Sequence, residues 1–133
     1  MEPQMQHDPS PYNLNEEAVK GKANAIKVMD EGCDVGAAFR HPTLGYISLL
    51  YGDREKGIRH ILLRREREIA DDARLVGQVP RDVVLKLVEV ILFGKMTRLG
   101  PKYNINHDGY RAVVAAPFGD QMNYWLLTGF KVT

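Results

Sequence analysis

The stretch GYISLLYGDREKGIRHILLRR, residues 45–65, changes from the periodicity of a strand to that of a helix. Its first part is a short apolar and aromatic run between Gly45 and Gly52, which is typical of a half-buried or buried strand. The second part predicts a helix with Asp53 as its N-cap, because the carboxylate can accept hydrogen bonds from the first amides. At about 100° per residue, the apolar residues of this helix form one stripe. They are Ile58, Ile61, Leu62 and Ile69.

The polar side of this helix carries a histidine among charged residues. The side opposite the apolar stripe contains His60, Arg64, Arg67 and Asp71. We therefore expect His60 to face water or a groove. The basic residues of the region are Arg54, Lys56, Arg59, Arg64, Arg65 and Arg67, and the acidic ones are Asp53, Glu55, Glu66 and Glu68. This mixture is compatible with two kinds of surface, a salt-bridged solvated face and a phosphate track.

The length and composition indicate one compact domain, which we place at residues 13–133. A chain of 133 residues with 44% apolar residues can bury a sizeable core. Because its net charge is only +1, a polyanion would be held by a local patch. The single cysteine, Cys33, can form no intrachain disulfide, and neither a signal peptide nor a membrane-spanning apolar run is recognisable. We expect a soluble protein that folds without cystines and contacts no membrane.

The N-terminal part of the chain predicts a tail and a helix. Residues 1–12 are polar, contain prolines and lack periodicity, which predicts a flexible tail. The helix begins at Asn13, which can form a capping box with Glu16, and ends at Gly32. Residues 33–43 have no clear period and predict a connection to the first strand.

The C-terminal part predicts one more helix and a β-meander. Pro80 suits the first turn of an apolar helix that ends at Gly94, although its valines and isoleucine leave a strand as the alternative. Four strands follow, at residues 95–99, 102–106, 110–116 and 122–132. The predicted fold is therefore α+β, with N-terminal helices packed on one face of a C-terminal four-stranded antiparallel sheet.

The last predicted hairpin places a cation and a hydroxyl group together. With residues 118–121 as its loop, Arg111 lies opposite Thr128, and Val113 lies opposite Leu126 on the same face. The two polar side chains would then project side by side. A slip of one residue would separate them, because it turns every side chain of a strand to the other face.

Three segments of the chain carry a resemblance to a known superfamily. The helix GIRHIL and the strands GYRAVVA and NYWLLTGFK resemble, in this order, the phage-associated branch of the barnase, EndoU, colicin and RelE-like nuclease superfamily. The resemblance covers roughly residues 43–131. It implies a metal-independent endoribonuclease without a cofactor, in which helices pack on a four-stranded antiparallel sheet. It also implies a toxin or phage effector domain that acts in the cytoplasm of the host or target cell.

The resemblance implies a role for each of three polar residues. Cleavage of RNA without a metal needs a base for the 2′-hydroxyl, an acid for the leaving oxygen and donors around the phosphate. His60 is the implied acid–base catalyst, since an imidazole titrates near neutral pH. Arg111 would hold the phosphate, and Thr128 would donate a hydroxyl hydrogen bond. The expected substrate-binding residues are Arg64, Lys102 and Tyr110, and these three and His107 are the alternatives for the second acid–base group.

Other kinds of site find no support in the sequence. The histidines and the cysteine lack the spacing of a zinc site. Neither a glycine-rich phosphate loop nor a GxSxG nucleophile motif is present. The expected partners are RNA, with tRNA as one candidate, and a protein inhibitor or immunity partner. The alternative function is a catalytically inactive module that binds RNA or a protein on the same scaffold.

Overall fold

The computed structural model describes residues 12–71, 79–117 and 123–132, and within these ranges it contains three α-helices and six β-strands. In chain order they are α1 (Leu14–Glu31), β1 (Val35–His41), β2 (Gly45–Leu49), α2 (Ile58–Asp71), α3 (Pro80–Phe93), β3 (Lys95–Leu99), β4 (Lys102–His107), β5 (Tyr110–Ala115) and β6 (Tyr124–Lys131). The predicted α+β class is confirmed. No helix within these ranges is long and apolar enough to cross a membrane.

All six strands belong to one mixed sheet, in the order β1-β2-β6-β5-β4-β3. β6 pairs with β2 in parallel, and every other pair of neighbouring strands is antiparallel. The predicted meander corresponds to the four strands β3 to β6. The prediction of a four-stranded antiparallel sheet is nevertheless wrong for the whole sheet, because β1 and β2 extend it through the parallel contact with β6.

β1 lies where the sequence predicts a connection. The register between β1 and β2 shifts between Val35 and Phe39, and Ala37 has a positive φ of 50°. Such a bulge interrupts the alternation of inward and outward side chains on which strand prediction depends. The prediction for residues 33–43 is therefore corrected to an irregular edge strand.

The ends of α1 and α3 agree with the predictions. The side chain of Asn13 accepts a hydrogen bond from the backbone N–H of Glu16 at 3.0 Å, which is one half of the predicted capping box. Gly32 follows α1 in the left-handed region, with φ of 64°, which glycine adopts without the penalty of a Cβ atom. α3 begins with Pro80 and is followed by Gly94.

Part of the predicted tail and of the last loop lies outside the described residues. Residues 1–11, the predicted turn at residues 118–121 and Met122 belong to this part. Tyr12 is described, and its hydroxyl donates a hydrogen bond to the carbonyl oxygen of Arg40 in β1 at 2.9 Å. The guanidinium carbon of Arg40 lies 5.1 Å from the centre of the Tyr12 ring. Tyr12 thus packs on the edge strand.

The start of α2 differs from the prediction. The carboxylate of Asp53 accepts hydrogen bonds from the N–H groups of Glu55 and Lys56, at 2.8 and 3.1 Å, and so closes a turn before the helix. α2 begins only at Ile58, whose N–H donates to the carbonyl oxygen of Leu50 at 3.0 Å. The N–H of Arg59 likewise donates to the carbonyl oxygen of Tyr51, at 2.8 Å. Backbone carbonyls replace the expected N-cap side chain, because the chain leaving β2 folds back over the helix end.

The hydrophobic core lies between the sheet and the three helices. The fully buried strand residues include Phe39, Ile47, Leu49, Ile105, Ala112, Val114 and Leu126, and those of the helices include Val28, Ile58, Ile61, Val84, Leu87, Val88 and Ile91. Two glycines allow close approach of these layers. A Cβ atom at Gly21 of α1 would lie 2.8 Å from a ring carbon of Phe39, and one at Gly129 of β6 would meet Leu87 of α3.

The register of the β5–β6 hairpin also differs from the prediction. Arg111 lies opposite Phe130, and Val113 lies opposite Thr128. The register shifts between Val113 and Val114, so that Leu127 is the additional residue of a bulge. The carbonyl oxygen of Leu127 accepts a hydrogen bond from Gly57 at 2.7 Å, just before α2. This contact with a distant segment supplies the physical reason for the bulge.

Candidate functional site

His60 lies in the first turn of α2, half-buried and held by the preceding loop. Its Nδ1 lies 2.8 Å from the carbonyl oxygen of Arg54. Because a carbonyl oxygen can only accept, this hydrogen bond requires the proton on Nδ1. In the neutral ring, Nε2 then carries the free lone pair. The loop therefore orients the imidazole with Nε2 as the nitrogen that can act as a base.

A cleft of about 400 Å³ lies beside His60 and is lined by one side of α2. Its lining residues are His60, Arg64, Arg67 and Glu68. The Nε of Arg64 donates to the Glu68 carboxylate at 3.2 Å, and the buried Arg65 pairs with the same carboxylate. Burial lowers the pKa of the Arg65 guanidinium, and the like charge of Arg64 acts in the same direction. Arginine keeps its charge at neutral pH in spite of such a shift, so that Glu68 is held by two cations.

Arg111 and Thr128 share one face of the β5–β6 hairpin. Because Val113 lies opposite Thr128, and Arg111 is two residues from Val113, the cation and the hydroxyl are diagonal neighbours on that face. The Nε of Arg111 donates to the side-chain oxygen of Asn106 in β4 at 2.8 Å. The hydroxyl oxygen of Thr128 is buried and makes no hydrogen bond to any described residue. Arg111 and Thr128 therefore lie on the same face, as predicted, although they are not directly opposite each other.

Phe130 connects this hairpin face with α2. The guanidinium carbon of Arg64 lies 4.8 Å from the centre of the Phe130 ring, in cation–π contact. Residues that lie opposite each other in an antiparallel pair point to the same side, so Phe130 stands beside Arg111. The helix of His60 and the hairpin of Arg111 and Thr128 therefore meet at Phe130. Among the described residues, however, neither Arg111 nor Thr128 lines the cleft at His60, so these are two adjacent sites and not one enclosed pocket.

The other predicted site residues lie elsewhere. Tyr110 precedes Arg111 in β5 and therefore points to the opposite face, where Lys86 of α3 lies 6.0 Å from its ring centre. His107 lies opposite Tyr110, so it shares that other face. Lys102 is four residues before Asn106 in β4, which corresponds to about 13 Å along the strand. Of the four alternatives for the second acid–base group, Arg64 alone lies beside His60 in the described part of the chain.

Two residues of the site, Asn106 and Phe130, are absent from the predictions. A phenylalanine in a strand is most simply assigned to the core, and an asparagine in a strand has no motif around it. The signal that identifies both is the cross-strand register with Arg111. For Asn106 this register is regular and follows from the two-residue turn at Asp108 and Gly109, whereas for Phe130 it depends on the bulge at Leu127. That bulge has no local sequence signature.

No family model matches the chain, and no curated protein or solved structure is significantly similar to it. Within the ranges that the structure describes, no three His, Cys, Asp or Glu side chains are placed to hold a metal ion together.

Proposed function

We propose that the protein is a metal-independent endoribonuclease. The observation that carries the proposal is the contact of Arg64 with Phe130, which joins the helix of His60 to the hairpin of Arg111 and Thr128. The sheet from β3 to β6, with α2 and α3, would be the nuclease core of the barnase- and RelE-like type. α1, β1 and β2 would then be an addition to that core.

The proposed mechanism is an attack of the ribose 2′-hydroxyl on the adjacent phosphorus. Nε2 of His60 takes the hydroxyl proton, the bond from the 2′-oxygen to phosphorus forms, and the bond to the 5′-oxygen breaks. The products are a 2′,3′-cyclic phosphate and a 5′-hydroxyl end. Arg111 and Arg64 hold the phosphate oxygens. The Thr128 hydroxyl, which is buried in the free protein, becomes accessible when RNA binds and then donates a hydrogen bond to the charge that develops on these oxygens. Solvent water supplies the proton to the leaving oxygen, and the hydroxide that remains takes the proton from the His60 imidazolium, which restores the base.

The setting of this activity follows from the resemblance of the sequence. We propose a toxin or phage effector domain that acts on RNA, with tRNA as the first candidate, in the cytoplasm of the host or target cell. An active ribonuclease endangers the cell that makes it. A protein inhibitor that covers His60 and Arg111 is therefore the proposed partner.

The test is an incubation of purified protein with total tRNA and ribosomal RNA in EDTA. Wild-type protein is compared with His60→Ala and Arg111→Ala. The matched controls are His107→Ala and Lys102→Ala, which remove an imidazole and a positive charge away from the site. Cleavage should persist in EDTA and in both controls, and should fall by at least about 100-fold in His60→Ala.

A second candidate function is an RNA-binding module without catalysis. The separation of the His60 cleft from Arg111 favours it, since acid–base chemistry needs both groups at one phosphate. Intact RNA in every sample, together with tight binding, would support the module. Cleavage that survives in both His60→Ala and Arg111→Ala would contradict the proposed active site.

A further inference from the structure

A second groove runs along the outer side of α2. It has a volume of about 570 Å³ and is lined by Arg54, Arg59, Leu63, Glu66, Arg67 and Ala70. Arg59 and Arg67 are eight residues apart, so they lie on neighbouring sides of the helix about 12 Å apart along its axis. Arg54 comes from the loop before the helix and adds a third guanidinium. The groove is distinct from the His60 cleft, which lies on the adjoining side.

The arginines of this groove have no salt-bridge partner in the part of the chain that the structure describes. Arg54, Arg59 and Arg67 pair with no carboxylate among the described residues. Two carboxylates lie nearby. Asp53 accepts hydrogen bonds from its own loop, which lower its pKa, and the charge of Arg59 acts in the same direction without a salt bridge. Glu68 is held by Arg64 and Arg65. The described lining thus contains three arginines against one glutamate, Glu66. This small surface is more positive than the whole chain, whose net charge is +1.

The groove and the His60 cleft adjoin each other on α2. Arg67 lines both of them. The carbonyl oxygen of Arg54 also orients the His60 ring, at 2.8 Å from Nδ1. A chain of phosphates that passes over Arg67 would therefore reach His60 from this groove.

The groove combines guanidinium groups with aliphatic surface. The half-buried Leu63 and the exposed Ala70 line the groove together with the arginines. Sites for single-stranded nucleic acid combine a positive track for the backbone with side chains that contact the bases, most often aromatic ones, and in the described lining this second part is aliphatic. A free inorganic anion would use the charges and leave the aliphatic surface unused.

We propose that the groove of Arg54, Arg59 and Arg67 binds the sugar–phosphate backbone of single-stranded RNA beside the cleaved bond. This inference rests on the proposed function and specifies the surface along which the RNA substrate lies. It also resolves the two alternatives that the sequence leaves open for this helix. Arg64 and Arg65 belong to the salt-bridged face, and the other three arginines form the phosphate track.

The test is the binding of a fluorescently labelled single-stranded RNA of about 12 nucleotides, followed by anisotropy between about 50 and 200 mM salt. All samples carry His60→Ala, so that the RNA remains intact. Arg54→Gln/Arg59→Gln is compared with Lys27→Gln/Lys95→Gln, which removes two exposed charges from α1 and β3. The arginine variant should bind roughly tenfold more weakly at low salt, and its slope of log affinity against log salt should flatten by about 1.4. The lysine control should keep the slope of its parent.

A single substitution in the groove should strengthen RNA binding, whereas the arginine variant weakens it. Glu66→Gln removes the one acidic side chain among the described lining residues, so it should tighten RNA binding several-fold. Glu31→Gln, at the exposed end of α1, is its control and should leave the affinity unchanged. Equal affinities in the two glutamine variants would count against the groove.

The outcomes separate this inference from the proposed function. If RNA is cleaved but the arginine variant binds like the lysine control, the groove is excluded and the nuclease stands. A different outcome is that protein with His60 intact cleaves no RNA, while the arginine variant binds RNA more weakly and with a flatter salt dependence. The groove is then supported and the nuclease function is excluded. Absence of any RNA binding by the parent would overturn both.

Discussion

His41 is a buried histidine whose ring organises the turn from β1 to β2. It is only 5% exposed, and its Nδ1 accepts hydrogen bonds from the N–H groups of Thr43 and Leu44 at 3.0 and 3.1 Å. A ring nitrogen that accepts two hydrogen bonds must be unprotonated. Burial lowers the pKa of His41 below its ordinary value, which favours the same neutral form. The native state therefore resists protonation of this side chain.

This histidine should make the stability depend on pH. As the pH falls through 6.5, the ordinary pKa, the unfolded chain binds a proton that the native His41 does not. The free energy of unfolding should therefore decrease from that pH down to the lowered native pKa. Urea unfolding of wild-type protein and His41→Asn, which keeps an acceptor that does not titrate, should show a shallower pH dependence in the variant. Parallel curves would contradict the role of His41, and His107→Asn is the control.

The hydroxyl of Thr128 should lower the stability of the fold, and it also has a proposed role in RNA cleavage. A buried hydroxyl without a hydrogen-bond partner costs about 1–3 kcal/mol. Thr128→Val should therefore leave the free energy of unfolding unchanged or raise it by about 1 kcal/mol, while RNA cleavage falls about 100-fold. Thr128→Ser retains the hydroxyl and should retain most of the cleavage. Chemical unfolding and initial rates on the same preparations test both halves, and loss of both properties together would indicate a purely structural role.

α1 depends on close packing at Gly21. A Cβ atom at this position would lie 2.6 Å from a methyl carbon of Val88 and 2.8 Å from a ring carbon of Phe39. Both neighbours are fully buried and stiff, so neither can move aside without disturbing the core. The absence of a side chain at Gly21 is what lets α1 approach α3 and β1.

Gly21→Ala should therefore lower the free energy of unfolding. Overpacking typically costs about 1–3 kcal/mol, and the better helix propensity of alanine offsets up to about 1 kcal/mol of it. Ala23→Gly, at an exposed position of α1, measures the propensity term separately. Denaturant unfolding of the three proteins gives both values. A Gly21→Ala variant more stable than wild type would show that the helix can shift outward at little cost.

β6 joins the two halves of the whole molecule. It pairs with β2 through Tyr124 and Trp125 and with β5 along most of its length. Within the described chain, β1 and β2 reach the β3–β5 strands of the sheet only through β6. β3, in contrast, is an edge strand with mostly exposed side chains. Packing defects in β6 therefore affect both halves, and those in β3 remain local.

Two leucines test this difference. Leu126 in β6 is fully buried, and Leu99 in β3 is 55% exposed. Leu126→Ala should lower the free energy of unfolding by about 2–5 kcal/mol, and Leu99→Ala by less than about 0.5 kcal/mol. Thermal and urea unfolding provide the measurement. Similar losses in the two variants would mean that the sheet does not transmit stability through β6.

Local patterns were sufficient for most elements and for part of the site. The helix of residues 14–31, the helix of residues 80–93 and the β3–β6 meander follow from caps, turns and periodicity, which act between residues close in the chain. The same short-range periodicity correctly separates His60 from the apolar stripe of α2. These properties belong to neighbouring residues, so they can be read before the chain folds.

Long-range contacts decided the remainder. The parallel pairing of β2 with β6 joins residues more than seventy positions apart, and the bulge at Leu127 depends on its hydrogen bond with Gly57. That bulge sets Phe130 opposite Arg111 and so brings Arg64 to the hairpin, while strand alternation turns Tyr110 away. The sequence pattern of a strand is the same whichever strand it pairs with and whichever register the pairing has. Only the simultaneous packing of helix, sheet and loop selects one of them.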